Sequence, residues 1–132
     1  MRDPRPGLTW SAHRLETRLT YSTYMDSPAW FARRERWMTE WTQSTGKEPS
    51  CLVCGCNWSL RHGDLHHRTY DRLCDEQWYD LIPLCRLCHG TLHACIEGNP
   101  EWRKRPCHQA TDALVAHLRH EHNEIADNGD RR

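Results

Sequence analysis

"DLIPLCRLCHGTLH", residues 80 to 93, packs three structural signals into one run. "LIPLC" has strand character, Cys85 and Cys88 form a CxxC knuckle, and "CHGTLHACIEG" reads as a helix that Gly98 and Pro100 terminate. His89 follows the knuckle at once and His93 comes four positions later, which puts both rings on one helix face about one turn apart. Upstream, "CLVC" supplies a second pair, Cys51 and Cys54, with the thirty residues Gly55 to Leu84 between the two pairs. Two such knuckles make a tetrahedral cage of four thiolates that zinc fills with no position left for substrate, so a structural zinc site is expected at Cys51, Cys54, Cys85 and Cys88.

Closing that cage folds the chain back on itself. The clamped loop carries "DLHH", residues 64 to 67, toward the start of the His89 helix, so His66 and His67 should meet His89 and His93 at a second metal site. Asp64, two positions before His66, can reach that ion or the ligand ring as a supporting acceptor. Cys56 lies beside the first knuckle but, two residues from Cys54, is expected to have poorer ligand geometry. A second zinc built from Cys95, Cys107, His108 and a later histidine such as His117 has no familiar spacing behind it; the alternative is small buried side chains.

The rest of the 132-residue chain reads as a single small α+β domain with flanking helices. Only 37% of residues are hydrophobic, so the core must be modest and a metal staple is expected; eight cysteines and ten histidines supply the means. No apolar stretch approaches the roughly 20 residues needed to cross a bilayer, and the first residues lack the apolar centre of a signal peptide. A cytoplasmic protein with reduced cysteines is the expectation, and there CxxC pairs hold zinc more often than they form disulfides.

Residues 1–26 read as an arm that turns helical around Ala12 to Leu19. Residues 27–98 form the central unit, and 99–132 a basic linker, an amphipathic helix capped at Thr111 or Asp112, and a disordered tail. In the helix after Ser27 and Pro28, the spacing of Trp30, Trp37 and Trp41 places tryptophans on the core and arginines outward. Net charge is zero, yet sixteen of the eighteen basic residues are arginine, the side chain suited to forked phosphate contacts.

Taken in order, "YSTYMDSPAWFARRERW", "CLVC", "DLHHRTYDRLCDE" and "DLIPLCRLCHGTLH" closely resemble the zinc-knuckle branch of the HNH, or ββα-metal, endonucleases, over roughly Tyr21 to His93. The resemblance implies a two-stranded ribbon packed on a helix, gripping one divalent cation such as Mg²⁺ or Mn²⁺. It puts His66 and His89 at the metal-ligand positions, His93 at an additional metal or phosphate contact, and His67 at the general base. Asp80 stands where the family usually has an asparagine that orients the base.

On that basis the expected activity is hydrolysis of DNA phosphodiester bonds, by nicking or double-strand cleavage with low sequence specificity. Arg68, Arg72 and Arg86 are the candidate phosphate clamps. Small phage members of the family work beside a genome-packaging motor, which would make this a mobile-element or packaging accessory acting in the cytoplasm of a bacterial host. The competing expectation is a zinc-ribbon module that binds DNA or assembles with a partner and cuts nothing.

Overall fold

The computed structural model describes residues 15–130. Helix α1 (Leu15–Met25) leads into α2 (Pro28–Thr45), then come strand β1 (Gly63–His67), a single 3-10 turn (Trp78–Asp80), strand β2 (Leu81–Cys85), and helices α3 (Arg86–Glu97), α4 (Pro100–Arg103) and α5 (Cys107–Asp130). The architecture is small α+β, with one two-stranded antiparallel sheet.

Local chemistry sets the boundaries of α2. The Ser27 hydroxyl accepts from the Trp30 N–H, Pro28 occupies the first turn, and Gly46 closes the helix in the left-handed conformation, its N–H on the Thr42 carbonyl. Gly63, at the start of β1, has a different reason to be glycine. A Cβ there would lie 2.2 Å from the Trp58 ring, whose indole N–H donates to the Asp64 carbonyl at 2.7 Å.

The β1–β2 register decides the rest. Leu65 faces Pro83 and His67 faces Leu81, while Asp64 faces Leu84 and His66 faces Ile82. Cross-strand partners share a face and neighbours along a strand do not. One face therefore carries Leu65, His67 and Leu81, packed with Tyr24, Trp30, Trp37 and Trp58. The other carries Asp64, His66, Ile82 and Leu84, the last two packed with Cys51, Cys88, Leu92, Ile96 and Leu114 of the knuckles, α3 and α5. The ribbon thus separates two small cores.

Four readings of the sequence are revised. Arg33 is not turned outward: it is buried among the tryptophans, its guanidinium donating to the Glu76 carbonyl at 2.9 and 3.1 Å and pairing with Glu40 at 2.9 Å. The basic linker contains a helical turn, α4, capped by the Asn99 side chain. Helix α5 starts four residues before Thr111, with the Pro106 carbonyl accepting from Gln109 and Ala110, and it runs through the expected tail to Asp130. The helix near the start, expected around Ala12 to Leu19, continues past Leu19 to Met25 and is described from Leu15; residues 1–14 and 131–132 lie outside the described residues. No described helix is long and apolar enough to cross a membrane.

Candidate metal centres

The first centre is built from thiols. Residues 50–57 fold into a tight hairpin, bridged at Ser50 and Asn57, in which the Cys51 N–H donates to the Cys56 carbonyl at 2.8 Å and the Gly55 N–H to the Cys51 carbonyl at 2.9 Å. Gly55 turns the corner at φ 78°, a left-handed conformation that costs glycine least. The Leu52 N–H then donates to the Pro83 carbonyl at 3.0 Å, pinning the hairpin to β2. Cys85 ends that strand and caps α3, its sulfur accepting from the Cys88 N–H at 3.4 Å.

The sulfurs of Cys51, Cys54, Cys56 and Cys85 all lie within 4.8 Å of one another, a grouping that can hold a metal ion such as zinc. Cys54 and Cys85 are 3.8 Å apart. A zinc–sulfur tetrahedron with bonds of about 2.3 Å has edges of about 3.8 Å. Backbone N–H groups of Cys54, Cys85 and Val53 outweigh the opposing effect of burial and hold the Cys51 thiol down at about 7, so it readily becomes the thiolate that a metal needs.

The grouping brings a fifth sulfur to the expected cage. Cys56, set aside on geometry, belongs to the mutually close four because the hairpin doubles back at Gly55; Cys88 does not. Cys88 is still near, buried, and its pKa is raised by that burial and by hydrogen bonds with the Cys85, Cys51 and Cys54 thiols. Five sulfurs therefore crowd a four-coordinate site. Cys95, Cys107 and His108 join no potential metal-binding group among the described residues.

The second centre is built from imidazoles. His66 from β1 and His89 and His93 from α3 bring one ring nitrogen each within 4.8 Å of the others. His66 Nδ1 lies 3.3 Å from His89 Nε2, which lies 3.1 Å from His93 Nε2. Ligands about 2.0–2.1 Å from a tetrahedral ion stand about 3.3 Å apart.

The outer nitrogens are engaged elsewhere. Asp64 Oδ2 sits 3.0 Å from His89 Nδ1, and Thr111 Oγ1 sits 2.9 Å from His66 Nε2. A ring that gives its single N–H to Asp64 or Thr111 keeps a bare lone pair on the facing nitrogen. Nitrogens at this spacing form a donor set that fits a cation. Burial, then the neighbouring rings of His89, His93 and His67, hold His66 well below the ordinary imidazole value. Burial and His89 push His93 down to about 4 against the pull of Asp64.

The structure does not bring every expected site residue to this centre. His67 lies on the opposite face of the ribbon, its side chain fully buried, stacked against Trp30 and Tyr70. Its Nε2 pairs with Glu76 at 2.7 Å, and Glu76 also accepts from the Tyr24 hydroxyl at 2.9 Å. Glu76, not Asp80, is therefore the carboxylate on this ring. Asp80 is itself buried, gripped by both arms of Arg72 and by the Gln77 N–H. Nδ1 of His67 is buried without a hydrogen-bond partner.

The candidate phosphate clamps divide similarly. Arg72 is taken up by Asp80, and Arg68 forks onto Asp112 at 2.6 and 2.8 Å. Arg86 keeps a largely exposed side chain, 3.8 Å from Asp64. Sequence reasoning assigned Thr111 to a cap and did not single out Glu76; no spacing rule connects either residue to a histidine 45 or 9 positions away. Compared with known protein families, with curated proteins and with solved structures, the chain matches none.

Proposed function

We propose that this protein is a metal-dependent endonuclease of the ββα-metal type, hydrolysing phosphodiester bonds in DNA at the three-histidine centre. The observation that carries the reading is the convergence of His66 Nδ1, His89 Nε2 and His93 Nε2, 3.3 and 3.1 Å apart in turn, with Thr111 and Asp64 on the outer nitrogens of His66 and His89. The succession of β1, β2 and α3 is the one the sequence resemblance implies. Three neutral imidazoles suit zinc, nickel or iron better than magnesium, which prefers oxygen. When bound there, a divalent ion supplies a Lewis acid that offsets the negative charge growing on the phosphate.

The residues do the remaining work. Asp64 accepts from His89 and Thr111 holds the His66 ring, and burial disfavours the protonated forms of His66 and His93. Arg86 adds positive charge beside Asp64 and His89. His67 is the proton acceptor that the sequence resemblance implies, but its ring, buried on the opposite face of the ribbon with Nε2 on Glu76, does not face this centre. A role beside a phage packaging motor rests on the sequence resemblance alone.

The burial of His67 favours a second reading, a zinc-stabilised DNA-binding or assembly module in which this ring only packs. Plasmid incubated with the zinc-loaded protein, in magnesium, manganese, nickel or added zinc, distinguishes them. Cleavage abolished in His89→Ala and His67→Ala supports the nuclease. Cleavage abolished in His89→Ala alone leaves the nuclease and removes His67 as its base, and no cleavage of any DNA form with any ion leaves the binding module.

A further inference from the structure

A cavity of about 250 Å³ opens beside the imidazole centre, between α2 and the start of α3. Its charged lining is three arginines, Arg34, Arg61 and Arg86, against one carboxylate, Asp64, and His89 joins it to the metal ligands. Arg86 is the first residue of α3, so the positive end of that helix adds to the field. Arg34 is held by the Leu60 and Gly63 carbonyls at 2.8 and 2.9 Å with its guanidinium 5.8 Å from the Trp58 ring centre, which fixes its charge at the cavity floor. Arg61 and Arg86 are exposed and able to move onto a ligand.

The lining also includes the apolar side chains of Met25, Trp30, Leu60 and Leu65. A cavity for a bare anion needs no apolar lining, and a duplex backbone follows an open basic surface. Guanidiniums together with apolar side chains match a phosphate carrying its own sugar and base.

We propose that this cavity binds one nucleotide of a single nucleic-acid strand, the phosphate between Arg61 and Arg86 and the base against Met25 and Leu60, next to the imidazole centre. It rests on the nuclease reading for the direction in which the strand continues, toward His89. A fully paired duplex must expose a nucleotide to fill the cavity, so frayed, nicked or single-stranded DNA is the preferred ligand.

The test is binding, not cleavage. Fluorescence anisotropy of the full-length zinc-loaded protein would compare a labelled oligothymidylate with a duplex of equal length, using thymidine 5′-monophosphate and inorganic phosphate as competitors. The single strand should bind at least about tenfold tighter, and the nucleotide should compete at concentrations where inorganic phosphate does not. Arg61→Ala and Arg86→Ala should each flatten the dependence of log affinity on log salt by about 0.7. Leu60→Ala should weaken binding of the single strand without changing that slope.

Equal affinity for duplex and single strand, or unchanged salt slopes in both arginine variants, would overturn the proposal. If the binding pattern appears but no DNA form is cut with any ion, the nucleotide site stands and the nuclease reading falls.

Discussion

The thiol and imidazole groups both draw on the β2–α3 segment, Cys85 at the end of β2 and His89 and His93 within α3, and could hardly differ more in chemistry. At Cys51, Cys54, Cys56 and Cys85 the ligands become anions, come from a hairpin and a strand end distant in sequence, and leave no coordination position over. At His66, His89 and His93 the donors are imidazoles, two of the three come from one helix, and Thr111 and Asp64 engage the outer nitrogens of His66 and His89. The first arrangement suits holding a chain together. The second suits holding an ion whose remaining positions are open to a substrate. What separates the two groups as potential metal sites is ligand charge and closure, not burial.

The comparison can be broken most forcibly at the thiols. Cys51→Ser, or removal of zinc with a strong chelator, should unfold the domain, since such sites contribute an apparent ~10–16 kcal/mol in small zinc peptides. Loss of near-UV circular dichroism is the readout, and a folded chelated protein would show that the thiols are dispensable. The imidazole centre should behave otherwise: Asp64→Asn should leave the fold intact and lower affinity for nickel or cobalt by about 10–100-fold, measured by calorimetric titration.

Acid should separate the two centres further. His66 and His93 titrate below their unfolded value, so the unfolded chain binds more protons between about pH 6.5 and pH 4, the level to which His93 is depressed. Stability is therefore lost as pH falls through that window. Urea midpoints should show a shallower loss in His93→Gln than in the parent, with zinc kept on the thiols in both.

Smaller effects sharpen the picture. Cys56→Ser and Cys88→Ser should each still bind cobalt with thiolate charge-transfer absorption, because the other sulfur completes the site, while the double variant should lose it. Smallest of all, Asp112→Asn should cost about 0–1 kcal/mol in a urea titration, because its ion pair with Arg68 is half exposed.

Much of this fold was legible in the chain. Ser27, Pro28 and Gly46 bracket α2 by local chemistry, Gly98 ends α3, and the two CxxC pairs announce the thiol centre at Cys51, Cys54 and Cys85. The histidine pair at 66 and 67 was legible only in part. Its convergence on His89 follows from the clamp, but residues adjacent on a strand point to opposite faces, so only one of the two rings could reach α3. Thr111 and Asp112 carried a misleading signal, since both are good cap residues whose side chains go instead to His66 and Arg68. Glu76 left no periodic trace, because its partners come from long-range folding; Arg33 stands at helical spacing between Trp30 and Trp37, and only its charge argued for an outward position.

Helix α5 touches the imidazole centre near one end, through the Thr111 hydroxyl, and from Arg119 to Asn128 its side chains stand exposed. At 24 residues it is about 36 Å long, a rigid rod with its fulcrum on the domain and its free arm in solvent. Whatever grips that arm holds a lever whose short end rests on a ligand ring.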